Sequence, residues 1–206
     1  MLMIVDLGLG NVNSVHRALE YIGAPNFISN VPSDLSGADK IVLPGVGSFH
    51  EASERLAKTG FQEALTEAVL GQHKPILGIC LGMQLLAREG EEGGAAPGLQ
   101  FVPAKVTRMN SEKHQLRLPH VGWNSIESQT SSLRLMKDLS VGDCFYFTHS
   151  YEMVPSSTDN LSVAKTRYGQ DFVSIVESGG VCGVQFHPEK SQKSGLRLLR
   201  NFVELF

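Results

Sequence analysis

The stretch that decides the fold is Pro75-Ile-Leu-Gly-Ile-Cys80-Leu-Gly-Met-Gln-Leu-Leu-Ala-Arg-Glu89. Pro75 to Ile79 is a short apolar run of the kind that forms a buried strand. From Leu81 onward, Leu81, Gln84 and Leu85 fall at helical spacing, and Met83 to Arg88 are good helix formers. Cys80 therefore sits where a strand must turn sharply into a helix. Gly78 and Gly82 remove side chains where that turn would crowd. The pattern is the G-x-nucleophile-x-G elbow, with sulfur in place of a serine oxygen. A thiol at a helix N-terminus is enriched in its reactive thiolate form. The N–H of Leu81 is left free to meet a developing oxyanion. The competing reading is a buried structural cysteine between a strand and a helix, since free cysteine is among the most buried residue types.

Composition bounds the answer. The chain has 206 residues, enough for one domain (1–206) with a full core. A hydrophobic fraction of 42% and a charged fraction of 19% describe an ordinary soluble globule. The net charge of −3 and the lack of a Lys/Arg cluster argue against nucleic acid as the main partner. No apolar run approaches the ~20 residues needed to cross a bilayer, so no membrane role is expected. The N-terminus reaches Asp6 too soon for a secretory signal. Three cysteines without C-x-x-C spacing suggest a reducing compartment, and the expected location is the cytoplasm. Cys144 and Cys182 lie in apolar runs and are expected in the core.

Taken in order, Met1–Asp6 reads as a strand. A helix follows, carrying Val12, Val15, Leu19 and Ile22 on one face. Gly8 and Gly10 suggest a dinucleotide loop, but Asn13 stands where the third glycine would be. A short strand near Asn26–Ser29 and a polar linker lead to the strand Lys40–Leu43, then to Pro44-Gly-Val-Gly-Ser-Phe49 and a long helix to about Leu70. Gly45 and Gly47 flank Val46, so this loop can expose backbone N–H groups at a strand's C-terminal end, where open α/β sheets hold ligands. A plain glycine turn is the alternative. After Glu89 come a glycine-rich loop and short strands at Phe101–Val102, Lys105–Met109 and Arg117–Val121. A brief helix at Leu133–Lys137 precedes a strand from Asp143 to His149. Strands at Leu161–Thr166, Phe172–Glu177 and Val181–Phe186 lead to a closing helix from Ser191 that buries Leu196, Leu199, Phe202 and Leu205. The expected architecture is α/β, a three-layer sandwich around a mixed, mostly parallel sheet with antiparallel additions in its second half.

A cysteine nucleophile needs a base, and the base needs an orienter. Of seven histidines, His16, His50, His73 and His114 lie in polar stretches and are expected near solvent. His120 and His149 end apolar strands and remain candidates. His187 is the strongest, because it directly follows an apolar strand and Pro188 keeps its neighbourhood extended. In an extended run residues two apart face the same way, so Glu189 points alongside His187 and can hold the imidazole tautomer.

Gly-Ile-Cys80-Leu-Gly-Met-Gln84 together with Gln185-Phe-His187-Pro-Glu189 resembles the class I, triad glutamine amidotransferases. Asp6-x-Gly-x-Gly-Asn11, Pro44-Gly-Val-Gly-Ser-Phe49, His120-Val-Gly-Trp-Asn124, Tyr146-Phe-Thr-His-Ser-Tyr151 and Phe186-His-Pro-Glu-Lys190-Ser191 extend the resemblance over essentially the whole chain. They narrow it to a branch in which the glutaminase is a separate subunit. The resemblance implies glutamine hydrolysis through a thioester, with Cys80 as nucleophile, His187 as acid and base, and Glu189 as its orienter. It implies Leu81 and Val46 N–H groups as oxyanion donors, and Gly47, Gln84, Glu92, His149, Ser150 and Tyr151 as glutamine contacts. No cofactor or metal is implied. The implied partner is a (β/α)8-barrel cyclase subunit that forms imidazole glycerol phosphate, bound as a heterodimer and fed with ammonia. Asn11, Trp123, Tyr146 and Lys190 are placed at that interface, with a core position as the alternative for Trp123. The elbow, triad and pocket use the whole chain, so the acceptor chemistry is expected on another polypeptide. Rival readings are a cysteine hydrolase of the same fold, the glutaminase of a sister enzyme such as pyridoxal phosphate synthase, and a non-catalytic scaffold. The intact Cys/His/Glu set argues against the last.

Overall fold

The computed structural model of the chain describes residues 1–110, 116–130, 133–157 and 159–206. His114, expected near solvent, lies outside them. The apolar runs form the middle of an eight-stranded sheet. Its strands are β1 (Leu2–Val5), β2 (Asn26–Ser29), β3 (Lys40–Gly45), β4 (Ile76–Cys80), β9 (Ser128–Gln129), β12 (Ser162–Tyr168), β13 (Gln170–Ser178) and β14 (Val181–Val184). They lie in the order β2-β1-β3-β4-β14-β13-β12-β9. The first five are parallel and the last three join antiparallel, as the sequence led us to expect.

The central strands are apolar at every buried position because both faces are covered, and Lys40, only half-buried, stands at the start of β3. Met3 and Val5 of β1 join one core and Leu2 and Ile4 the other, as the two-residue period of a strand requires. The first core packs against α2 (Phe49–Thr59), α3 (Phe61–Thr66) and α4 (Leu81–Leu85). The second packs against α1 (Val12–Tyr21) and α5 (Gln192–Leu205). Each fully buried Leu, Ile or Phe here contributes ~1.5–3 kcal/mol. Two small sheets cap the C-terminal end. One pairs β8 (His120–Ser125) with β10 (Cys144–His149). The other runs β11 (Tyr151–Pro155), β7 (Ala104–Arg108), β5 (Glu89–Gly90), β6 (Ala96–Pro97). Among the described residues no helix is long and apolar enough to cross a membrane.

Several expectations are corrected. The long helix to Leu70 breaks at Gly60, whose left-handed φ of 79° ends α2, and it closes in a π turn over Glu67–Gly71. The helix after Cys80 stops at Leu85, because the backbone of Leu86 to Gln100 turns back and bonds into the β5–β7 sheet and its neighbours. No strand forms at Phe101–Val102, and the one expected at Arg117–Val121 runs from His120 to Ser125. Tyr151–Pro155 is a strand that periodicity missed. In α5 Leu198 is fully buried, while Leu196 and Leu205 are only partly so. Cys144 is exposed, since it starts β10 on the outer side; of these two, Cys182 alone lies in the core.

Candidate active site

The register of three parallel strands assembles the site. Gly45 of β3 pairs with Cys80 of β4, so Val46 and Gly47 emerge on one side of the sulfur. Val184 of β14 pairs with Ile79, so Gln185 and His187 emerge on the other. All of them leave the sheet at its C-terminal edge, where parallel sheets bind ligands.

Cys80 has φ 55° and ψ −111°, a strained turn conformation for a non-glycine residue. The flanking glycines are obligatory. A Cβ on Gly78 would lie 2.5 Å from the Gly82 carbonyl oxygen, and one on Gly82 would lie 1.7 Å from that of Leu43. The close crossing of β3, β4 and α4 is possible only without those side chains. Because α4 has five residues, its useful feature is its free first-turn N–H groups and not a long dipole.

Cys80 is buried, 6% exposed. Its thiol donates weakly to the Thr148 carbonyl at 3.9 Å, and Gln185 Nε2 donates to the sulfur at 3.8 Å. His187 Nδ1 donates to Glu189 Oε1 at 2.8 Å, with both side chains 4% exposed. His187 Nε2, the other ring nitrogen, is buried with no hydrogen bond of ordinary geometry among the described residues. Burial alone would lower the pKa of His187. The Cys80 sulfur and the Glu189 carboxylate outweigh it and raise the pKa to about 9. The ring is held from behind: its backbone N–H donates to Tyr146 O, and its carbonyl accepts from Ser191 Oγ.

His149 and His120 stand nearby in a different state. A carbonyl only accepts, so His149 Nδ1 donates to Tyr151 O at 2.9 Å. His149 Nε2 then accepts from His120 Nδ1 at 3.0 Å, and His120 Nε2 accepts from Asn124 Nδ2 at 3.4 Å. Burial lowers the pKa of His149 to about 3 and that of His120 to about 4, so both are neutral. A neutral ring with both nitrogens engaged is unsuited to be the base, which leaves His187.

A cavity of about 420 Å³ opens over the sulfur, lined by Val46, Gly47, Ser48, Cys80, Leu81, Gln84, Glu92, Pro119, Thr148, His149, Ser150 and Tyr151. Every glutamine contact named from the sequence is among them. Burial raises the pKa of Glu92, opposed by the Phe49 N–H that its carboxylate accepts. Gln84 Nε2 donates to Tyr151 O at 3.2 Å and to Gln185 Oε1 at 3.1 Å. A wider groove of about 860 Å³ lies beside β5 and β7. Among the described residues its lining has no cysteine or histidine, so chemistry rather than size selects the smaller cavity. The N–H of Val46 donates to Leu9 O at 3.2 Å, and the 7–11 loop thus holds the expected oxyanion donor.

Of the residues placed at an interface, three come together. Trp123 and Tyr146 pair across β8 and β10 with ring centroids 6.1 Å apart, and Lys190 Nζ lies 5.7 Å over the Tyr146 ring. Trp123 is 50% exposed, which excludes the core alternative. Asn11 caps α1 separately, accepting from the Ser14 N–H. The sequence reading missed Ser48, Thr148, Pro119 and the side chain of Gln185. The last was visible only as a strand residue inside the His187 motif.

The sequence pattern of the class-I glutamine amidotransferases matches residues 3–205. The chain is 46% identical over 205 residues to the imidazole glycerol phosphate synthase subunit HisH 1 of Campylobacter jejuni (strain RM1221), covering 100% of both. It is 42% identical over 204 residues to the corresponding HisH subunit of Chlorobaculum tepidum, covering 99% of this chain and 100% of that one. Among solved structures, a glutamine amidotransferase superposes with TM-score 0.76 at 20% identity, over 99% of this chain and 97% of the other. The glutaminase domain of Trypanosoma brucei CTPS, with bound acivicin, superposes with TM-score 0.66 at 18% identity, over 98% and 93%. These two likenesses concern the fold.

Proposed function

Because the chain belongs to the class-I glutamine amidotransferase family, we propose that it is the glutaminase subunit of an imidazole glycerol phosphate synthase, serving histidine biosynthesis. The observation that carries this reading is Cys80 at a strained elbow beside a His187–Glu189 pair, under a cavity lined by Gly47, Gln84, Glu92, His149, Ser150 and Tyr151.

The raised pKa of His187 keeps an imidazolium beside the Cys80 sulfur at neutral pH, and the thiolate form of that sulfur is the nucleophile. The thiolate attacks the side-chain amide carbon of glutamine, and the carbonyl electrons move onto oxygen. The N–H groups of Leu81 and Val46 receive that oxyanion, Val46 after exchanging Leu9 for it. As the C–N bond breaks, the imidazolium gives its proton to the departing nitrogen, which leaves as ammonia. The thioester remains, and His187 is neutral. It then takes a proton from water as the hydroxyl attacks the thioester carbon. Collapse expels the Cys80 thiolate, regenerates the ion pair and releases glutamic acid, which ionises to glutamate. Glu189 holds Nδ1 protonated throughout, so Nε2 is the nitrogen that exchanges protons.

Ammonia goes to a (β/α)8-barrel cyclase partner in a heterodimer. The exposed Trp123–Tyr146–Lys190 ladder, which backs directly onto His187 through the Tyr146 carbonyl, is the face that receives it. The test is to assay glutamate from glutamine with the chain alone and with the cyclase. Cys80→Ala should abolish hydrolysis yet leave fold and partner binding intact, and its complex should still run the cyclase on added ammonium salt. Substantial glutamate from the purified variant would sink the reading.

A further inference from the structure

The side chain of Gln185 is fully buried and the mechanism above makes no use of it. Its backbone N–H already donates to Ser174 O at 2.9 Å, so the sheet does not need the side chain to hold the strand. A buried amide costs more to desolvate than an apolar residue of the same size. Yet both of its ends have partners at the reacting centre. Nε2 donates to Cys80 Sγ at 3.8 Å, and Oε1 accepts from Gln84 Nε2 at 3.1 Å.

The orientations of the two amides are not free. The Tyr151 carbonyl only accepts, so the Gln84 end that meets it at 3.2 Å is the NH2 group. The second hydrogen of that NH2 group points to Gln185, so the Gln185 end that meets it is the oxygen. The NH2 group of Gln185 is thereby turned to the sulfur. For Gln84 the same logic leaves Oε1 as the end offered to the cavity that this residue lines. One carbonyl at Tyr151 thus fixes two amides and a thiol in sequence.

We propose that Gln185 is a positioning residue of the glutaminase, presenting an N–H to the Cys80 sulfur and holding the Gln84 amide with its oxygen toward glutamine. It rests on the reading of Cys80 as the nucleophile. The N–H···S bond is long in the thiol state, and it tightens as negative charge builds on sulfur, because hydrogen bonds to ionised acceptors are shorter and stronger. It relaxes when the sulfur is acylated and returns when the thiolate is expelled. Gln185 gives up no proton in this role.

The experiment follows the rate of Cys80 alkylation by iodoacetamide against pH in the full chain. It is done in a Cys144→Ser background, because Cys144 is exposed and would also react. Gln185→Met, which fills similar space without a donor, should move the alkylation midpoint up by about one pH unit. It should lower kcat for glutamine about tenfold and raise KM, since Gln84 also loses its partner. A merely structural role would lower Tm and leave the midpoint in place; an unmoved midpoint in a folded variant overturns the proposal. The unsubstituted side chain gives a second measurement, independent of how the variant folds. The Gln185 side-chain NH2 resonances should titrate with the alkylation midpoint and lose that titration in Cys80→Ala. Resonances that stay flat, or that move equally in Cys80→Ala, overturn it as well. Retained glutaminase activity in Cys80→Ala is a separate result that would remove the premise instead.

Discussion

The backbone N–H of Val46 donates to the carbonyl of Leu9 across 3.2 Å, while Val46 itself lines the cavity over Cys80. The proposed oxyanion donor is thus engaged by the 7–11 loop, where Gly10 has φ 132° and runs against the backbone of Gly45 and Val46. The Val46 N–H belongs to the Gly45–Val46 peptide, and Gly45, having no side chain, lets that peptide plane turn at low cost. The proposed partner, docking on the proposed interface near Asn11 and Trp123, needs to supply only a few kcal/mol of preference for the flipped state.

This makes the first prediction one of gating. Loss of one oxyanion donor costs ~10²–10³ in rate, so kcat for the chain alone should lie at least that far below kcat with the acceptor-loaded cyclase. Val46→Pro, which has no N–H in either orientation, should remove most of the stimulation. Equal kcat for the chain alone, with cyclase, and with loaded cyclase would refute the idea.

The second prediction follows from His187. Its pKa is raised from 6.5 to about 9 in the folded chain. The associated stabilisation is therefore complete below pH 6.5 and is lost as pH rises through about 9. Glu189→Gln removes one of the groups that raise it, so the ring should titrate at a lower pH and the alkaline loss of Tm should begin earlier. His187→Asn should cost ~10²–10⁴ in kcat as the acid and base are removed, and Glu189→Gln less. NMR titration of the ring, with Tm between pH 6 and 10, checks the first part. An unchanged ring midpoint in Glu189→Gln counts against the assignment.

The third prediction has the opposite sign. His120 and His149 are held neutral, with pKa values lowered to about 4 and about 3. Below pH 6.5 the unfolded chain binds protons that these rings refuse when folded, so stability falls from pH 6.5 toward 4. His120→Asn should flatten that acid slope in Tm. His149→Asn should raise KM for glutamine more than it lowers kcat, because the ring lines the cavity and does not engage the sulfur. A kcat loss in His120→Asn as deep as that of His187→Asn would reopen the choice of base.

Gly82→Ala supplies the fourth. The added carbon would stand 1.7 Å from the Leu43 carbonyl oxygen, on backbone that cannot yield without parting β3 from α4. A loss of more than ~3 kcal/mol is expected, enough to prevent folding in a domain of ordinary stability. Gly37→Ala, with nothing within 4 Å and no positive φ, is the control and should fold normally. A normally folded Gly82→Ala in thermal melts would contradict the close crossing.

Local signals were legible where one interaction decides the outcome. The apolar runs at Leu2–Val5, Ile41–Leu43 and Ile76–Ile79 read as strands because a strand covered on both faces has no polar positions to confuse the pattern. The elbow was legible for the same reason: glycines two before and two after a cysteine have few other uses. Tyr151–Pro155 escaped because a short strand on a small capping sheet carries no period of its own. Cys144 was misplaced because its apolar neighbours Phe145 and Phe147 are buried on the alternate side of the strand.

By itself, the sequence determined the parallel sheet and the Cys80 turn, because these follow from side-chain period and glycine sterics; it also paired His187 with Glu189, but the contact is made by a 3-10 turn over Pro188–Lys190 and not by the extended run expected there. Only the tertiary structure decided which histidine is charged, where the Val46 N–H points and what Gln185 touches. His120, His149 and His187 carry the same ring, and their pKa values diverge because burial acts on all three while the Cys80 sulfur and the Glu189 carboxylate act on one. Those partners come from elements far apart in the chain or from loops with no pattern, and desolvation and hydrogen-bond direction exist only once the strands have set them side by side.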